Sequence, residues 1–119
     1  MAHNGQERRR YPRIAGRFIV SYRILEESDN IDTSQTKNLS LGGMLLTTNR
    51  HFDPNTFIAL DIRLPFDPDP IEITAKVIES KELIKDLIYD TRLHFIHIDD
   101  KHLKILTETI THYLRRGNS

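Results

Sequence analysis

Seven residues near the start of the chain, ERRRYPR from Glu7 to Arg13, hold four arginines and no lysine. A guanidinium pairs with phosphate oxygens bidentately and stacks on flat rings, and an ammonium does neither well. That bias favours a ligand both anionic and aromatic, such as a nucleotide. Pro12 pushes Tyr11 toward extended geometry, which sets Arg9 and Arg13 roughly 13 Å apart along the backbone, at an even offset that points both the same way. A second cluster, NLSLGG from Asn38, offers Asn38 and Ser40 two apart at a strand end, expected on one face, followed by Gly42 and Gly43. The glycines are expected to allow positive φ and to bare backbone amides to whatever sits there. Taken singly, each cluster also has an ordinary reading: a solubilising or weakly RNA-binding arm, and a well-formed turn.

These residues need elements to hold them. Residues 1–16 carry few large apolar groups and are expected to form a flexible arm that cannot bury enough surface to order itself, with the folded domain over 17–116. RFIVSYRIL from Arg17 alternates Phe18, Val20, Tyr22 and Ile24 against Ile19, Ser21, Arg23 and Leu25, a first strand. TSQTKNLS, GGMLLTT, FIALDIRLP, IEITAKVIES and IYDTRLHFIHI read as five more, separated by the polar EESDNID turn and the proline-locked FDPDP loop. KELIKDL, residues 81–87, is left as an unassigned connector. After Asp99 and Asp100 the period changes: Leu103, Leu106, Ile110 and Tyr113 or Leu114 predict a C-terminal helix with an aspartate N-cap. About six short antiparallel strands and one helix imply an all-β domain, a small barrel plugged or flanked by the helix, or alternatively a sandwich.

Composition narrows the chemistry. Lys+Arg and Asp+Glu both number 17, so a basic site must be local rather than a broad cationic field. Cysteine is absent, which removes thiolate metal sites and Cys nucleophiles and suits a reducing compartment. The N-terminus lacks a signal-peptide apolar region and no run is long enough to span a membrane, so a soluble cytoplasmic protein is expected. The six histidines are poorly spaced for a shared metal, and Ser40 has no sequence-visible base, so no enzyme and no cofactor are expected.

Taken together the two clusters match a pattern. RRRYPR contains RRxxxR (Arg8, Arg9, Arg13) and NLSLGG contains (D/N)xSxxG (Asn38, Ser40, Gly43), in that order. This resembles the PilZ domain, a bacterial receptor for the second messenger cyclic di-GMP. The resemblance runs through the late His94-Phe95 and the terminal helix, and implies a six-stranded antiparallel PilZ-type β-barrel with a C-terminal α-helix. Many members carry Gly three residues before that late Phe, where this chain has Arg92. The resemblance further implies that Arg9 and Arg13 contact phosphate and guanine, that Arg8 adds stacking or holds a second ligand copy, and that Asn38, Ser40 and Gly43 receive one guanine. Gly42 is added for its flexibility alone.

Ordering about six arm residues costs on the order of 6 to 12 kcal/mol. Some five charge-assisted hydrogen bonds, at about 1.5 to 3 kcal/mol each, nearly balance that cost. An arm so balanced is expected to close only on its anion. Output is expected to pass to an unknown downstream protein, or to self-association as a homodimer. The competing reading is a barrel that binds single-stranded nucleic acid, with the same arm tracking a phosphate backbone. Neutral total charge and the acidic Asp61, Glu72 and Asp90 on strand faces argue against a nucleic-acid polymer, as the lack of an apolar span argues against a membrane partner.

Overall fold

The computed structural model of the chain describes residues 11–116; Arg8 and Arg9 lie outside the described residues. Among the described residues six strands form: β1 (Ile19–Ile24), β2 (Asp32–Leu39), β3 (Gly43–Thr48), β4 (Phe57–Ile62), β5 (Ile71–Ile84) and β6 (Ile88–His97). They pair antiparallel throughout, in the order β1-β2-β3-β6-β5-β4, and β4 returns to β1 to close a barrel. Closure decides between barrel and sandwich. The alternation read from sequence is what fills the interior: Val20, Tyr22, Ile58, Leu60, Ile62, Ile71, Ile73, Ala75, Val77, Leu93 and Phe95 are all buried.

The helix follows as α1, Asp100–Arg115, with Asp99 as its N-cap accepting from the His102 backbone N–H at 3.3 Å. Leu106 and Ile110 enter the barrel core, while Leu103 and Leu114 stay partly exposed. The buried stripe therefore runs through Ile105, Leu106, Thr109, Ile110 and Tyr113 and leaves out Leu103. Tyr113 packs edge-on against Phe18 with centroids 5.4 Å apart, and the Glu72 backbone N–H donates to His102 Nδ1 at 3.1 Å. The helix thus covers the end of the barrel where β1, β3 and β5 begin and β2, β4 and β6 finish.

Three expectations change. The core does not start after residue 16: Ile14 is fully buried and forms a bridge with Leu39, each backbone N–H donating to the other's carbonyl at 2.8 and 2.9 Å. The buried Thr36 hydroxyl holds the next residues, donating to the Gly16 carbonyl at 2.6 Å and accepting from the Phe18 N–H at 3.0 Å. KELIKDL is no mere connector, because β5 continues to Ile84 and turns through Lys85, Asp86 and Leu87 into β6, with Asp86 at φ 60°. Finally, β2 is not regular: Thr36 pairs with Leu46 and Asn38 with Leu45, so Lys37 is an extra residue. This bulge lets Thr36 and Leu39 both face the core while Lys37 and Asn38 are only half-buried.

Ile14 supplies core volume as well as a backbone clasp, so Ile14→Ala is expected to cost about 2 to 5 kcal/mol in urea unfolding followed by circular dichroism. A loss within about 0.5 kcal/mol, as for an exposed residue, would remove the leader from the core.

Candidate functional site

The Ile14–Leu39 bridge joins the two sequence clusters. It sets Arg13 beside the end of β2, where its Nη1 donates to Asn38 Oδ1 at 2.8 Å. A residue of the arginine cluster and one of NLSLGG, 25 positions apart, thus share one polar contact on the outside of the barrel.

Ser40 does something other than stand beside Asn38. It lies past the last residue of β2 and is buried, so strand alternation does not govern it. Its hydroxyl accepts from the backbone N–H groups of Gly42 and Gly43, both at 3.1 Å, and its own N–H donates to the Gly43 carbonyl at 2.9 Å. Ser40 therefore builds the turn. The expectation of positive φ at the glycines is also corrected: neither adopts it, and what they supply is room. A Cβ on Gly43 would run into the Leu93 carbonyl of β6, and one on Gly42 would lie 2.8 Å from Cδ2 of Tyr11. The Tyr11 ring thus lies over the Gly42 backbone, itself 42% exposed.

Beyond Asn38 the outer face continues along one row of cross-strand partners: Asn38 on β2, Leu45 on β3, Arg92 on β6 and Glu79 on β5. One row away Asp90 pairs with Thr47 and Lys81, and takes an ion pair from Lys37 Nζ at 2.7 Å. On the other side Gly43 pairs with His94, which pairs with Lys76. Burial, and after it the charge of Arg92, lower the pKa of the Arg13 guanidinium from its ordinary value. Arg92 was flagged in sequence only as a departure. Its outward position was nonetheless legible from the alternation that buries Thr91 and Leu93 on either side of it.

A separate cavity of about 380 Å³ opens on the far side, across β1, β4 and β5, and none of the motif residues lines it. Its arginine, Arg23, is taken up by the carbonyls of Leu25 at 2.9 Å and Glu27 at 2.7 Å, and Asp61, Glu72 and Asp99 make it a poor place for an anion. The contact between the two sequence clusters lies on the Arg13 side.

The sequence profile of the PilZ domain matches residues 7–112. The chain belongs to the PilZ domain family. Among solved structures, this PilZ chain is similar to the Bacillus subtilis inhibitor of motility MotI/DgrA, at 22% identity and TM-score 0.73, covering 91% of this chain and 52% of that one. It is also similar to the PilZ domain of YcgR from Escherichia coli, described with c-di-GMP, at 16% identity and TM-score 0.66, over 92% of this chain and 94% of that one. MrkH, described as a c-di-GMP-dependent transcription regulatory factor, matches at 16% identity and TM-score 0.65. The chain spans about half the length of MotI/DgrA and of MrkH. At these identities the likeness is one of fold. Among curated proteins none matches the sequence.

If Ser40 acts through the turn, Ser40→Ala strips two glycine N–H groups of their acceptor and is expected to destabilise the ligand-free protein by about 1 to 3 kcal/mol in thermal melts. A variant that melts with the wild-type protein but binds ligand less well would make the hydroxyl a direct contact instead.

Proposed function

We propose that the chain is a receptor for cyclic di-GMP, in which an arginine-bearing leader closes on a ligand seated at the rim of the barrel. The observation that carries this reading is the 2.8 Å bond between Arg13 and Asn38, which brings the two motif clusters into contact. The PilZ family membership, and the c-di-GMP named for YcgR and MrkH, supply the ligand class.

The ligand has two phosphodiester charges and two guanines. In this reading Arg9 and Arg13 pair with phosphate and guanine, and Arg8 adds a stacking surface or holds a second copy. Asn38 and the Gly43 backbone receive a guanine, on a turn that Ser40 keeps in shape. The Tyr11 ring over Gly42 is the first surface a base meets there and offers it an edge or a face. The leader arginines would grip the ligand from upstream of the Leu39 bridge and the Thr36 staple. Closure changes the surface around the barrel rim, and a downstream protein, or a second copy of the chain, reads that change. The site binds and presents; it performs no covalent step. Among the described residues no helix is long and apolar enough to cross a membrane.

Titration calorimetry of the full chain tests this. Cyclic di-GMP is expected to bind at micromolar concentration or tighter, and Arg13→Ala or Asn38→Ala is expected to weaken it by about tenfold or more, the loss expected for a charge-assisted hydrogen bond. The double variant should lose less than the two single losses combined, because the residues contact each other. Binding to single-stranded polynucleotide that falls steeply with salt and ignores competing cyclic di-GMP would overturn the reading in favour of a nucleic-acid-binding barrel.

A further inference from the structure

The outer face that carries Asn38 also carries a cation outside both sequence motifs. Cross-strand pairing runs from Asn38 through Leu45 to Arg92, so Asn38 and Arg92 stand on the same face two strands apart, about 10 Å at the backbone. Leu45 is the side chain between them, and it is half-buried. Arg13 already reaches Asn38 from the leader, so Leu45 stands between the residue that Arg13 bonds and the strand position of Arg92.

We propose that Arg92 is a further ligand-binding residue of this site, a strand-borne guanidinium that holds a phosphodiester oxygen of the bound dinucleotide jointly with Arg13. The inference rests on the cyclic di-GMP reading and adds to it a specific contact from β6.

Three observations carry it. First, Arg92 is loosely held: its Nε lies 3.8 Å from Glu79 Oε2, and the two side chains are 51% and 58% exposed. A pair that open to solvent is worth little, so the guanidinium can exchange its carboxylate for a phosphate at small cost. Second, Arg92 and Arg13 sense each other electrostatically, and an anion between them turns their repulsion into two charge-assisted bonds. Third, Leu45 offers an apolar floor between the two cations, which suits a ligand whose charged groups alternate with flat rings.

The test is calorimetry on the full chain with cyclic di-GMP, for wild-type protein, Arg92→Ala, Arg92→Lys and Glu79→Gln, with a thermal melt of each ligand-free variant. Arg92→Ala is expected to weaken binding by about ten- to a hundredfold while melting with the wild-type protein. Arg92→Lys should recover part of that loss, since charge returns without the fork. Glu79→Gln should tighten binding, by up to about fivefold, because the competing carboxylate is gone. If Arg92→Ala binds as well as wild type or better, or Glu79→Gln weakens binding, the role given to Arg92 is overturned while the receptor reading stands. Wild-type protein that takes up no cyclic di-GMP overturns the receptor reading and this inference with it.

Discussion

Two reciprocal backbone hydrogen bonds between Ile14 and Leu39 tie the segment before β1 to the end of β2. They put a leader residue in antiparallel register with the last residue of β2, and they do so beside the turn that Ser40 organises. Burial of the Ile14 side chain makes the clasp favourable, because the hydrogen bonds alone would compete with water on nearly equal terms. Arg13 is positioned as a consequence: its backbone is fixed by its neighbour, and its side chain needs only to settle on Asn38. Without the clasp the arginine cluster and NLSLGG would be two unrelated pieces of sequence.

The barrel contributes rigidity where the site needs it. Gly43 lets the β6 backbone approach closely enough to pair with the start of β3, and the row from Asn38 to Glu79 crosses four adjacent strands. A face built on paired strands keeps Asn38, Leu45 and Arg92 at fixed spacing. The leader contributes reach. It brings Arg13 to that face, and helix α1 closes the same end of the barrel, tied to β5 through His102.

Much of this architecture was legible in the chain because burial on one face leaves a period of two, and the interior residues of β1, β4, β5 and β6 followed it. What was illegible has identifiable causes. Beyond Val77, β5 leaves the core, so Lys81 to Ile84 are exposed on both faces and carry no alternation to read. Ile14 is a single apolar residue in a polar segment, and one residue has no period. The Lys37 bulge shifts the phase of β2, and Ser40 lies past its last residue, where no alternation argument applies. Hydroxyl chemistry could not say whether Ser40 faced a ligand or its own turn. The demand for glycine at 42 and 43 was visible, but its cause, the nearness of Tyr11 and Leu93, exists only once distant parts of the chain have met. Arg92 stood in plain view as a departure from the family pattern, and its place in the row from Asn38 to Glu79 came from the strands that flank it.

The position of the clasp, immediately after Arg13, has a kinetic corollary. Arg9 lies four residues upstream of Arg13, so under the proposed reading the tether confines it to a sphere of roughly 13 Å radius about the docking point. Confinement on that scale corresponds to a local concentration on the order of 0.1 M, far above that of any free chain in a cell. Capture of the second contact is then a first-order event, indifferent to how much of the protein is made. Under that reading the abundance of receptor would set how many switches exist, and only the level of cyclic di-GMP would set when each one trips.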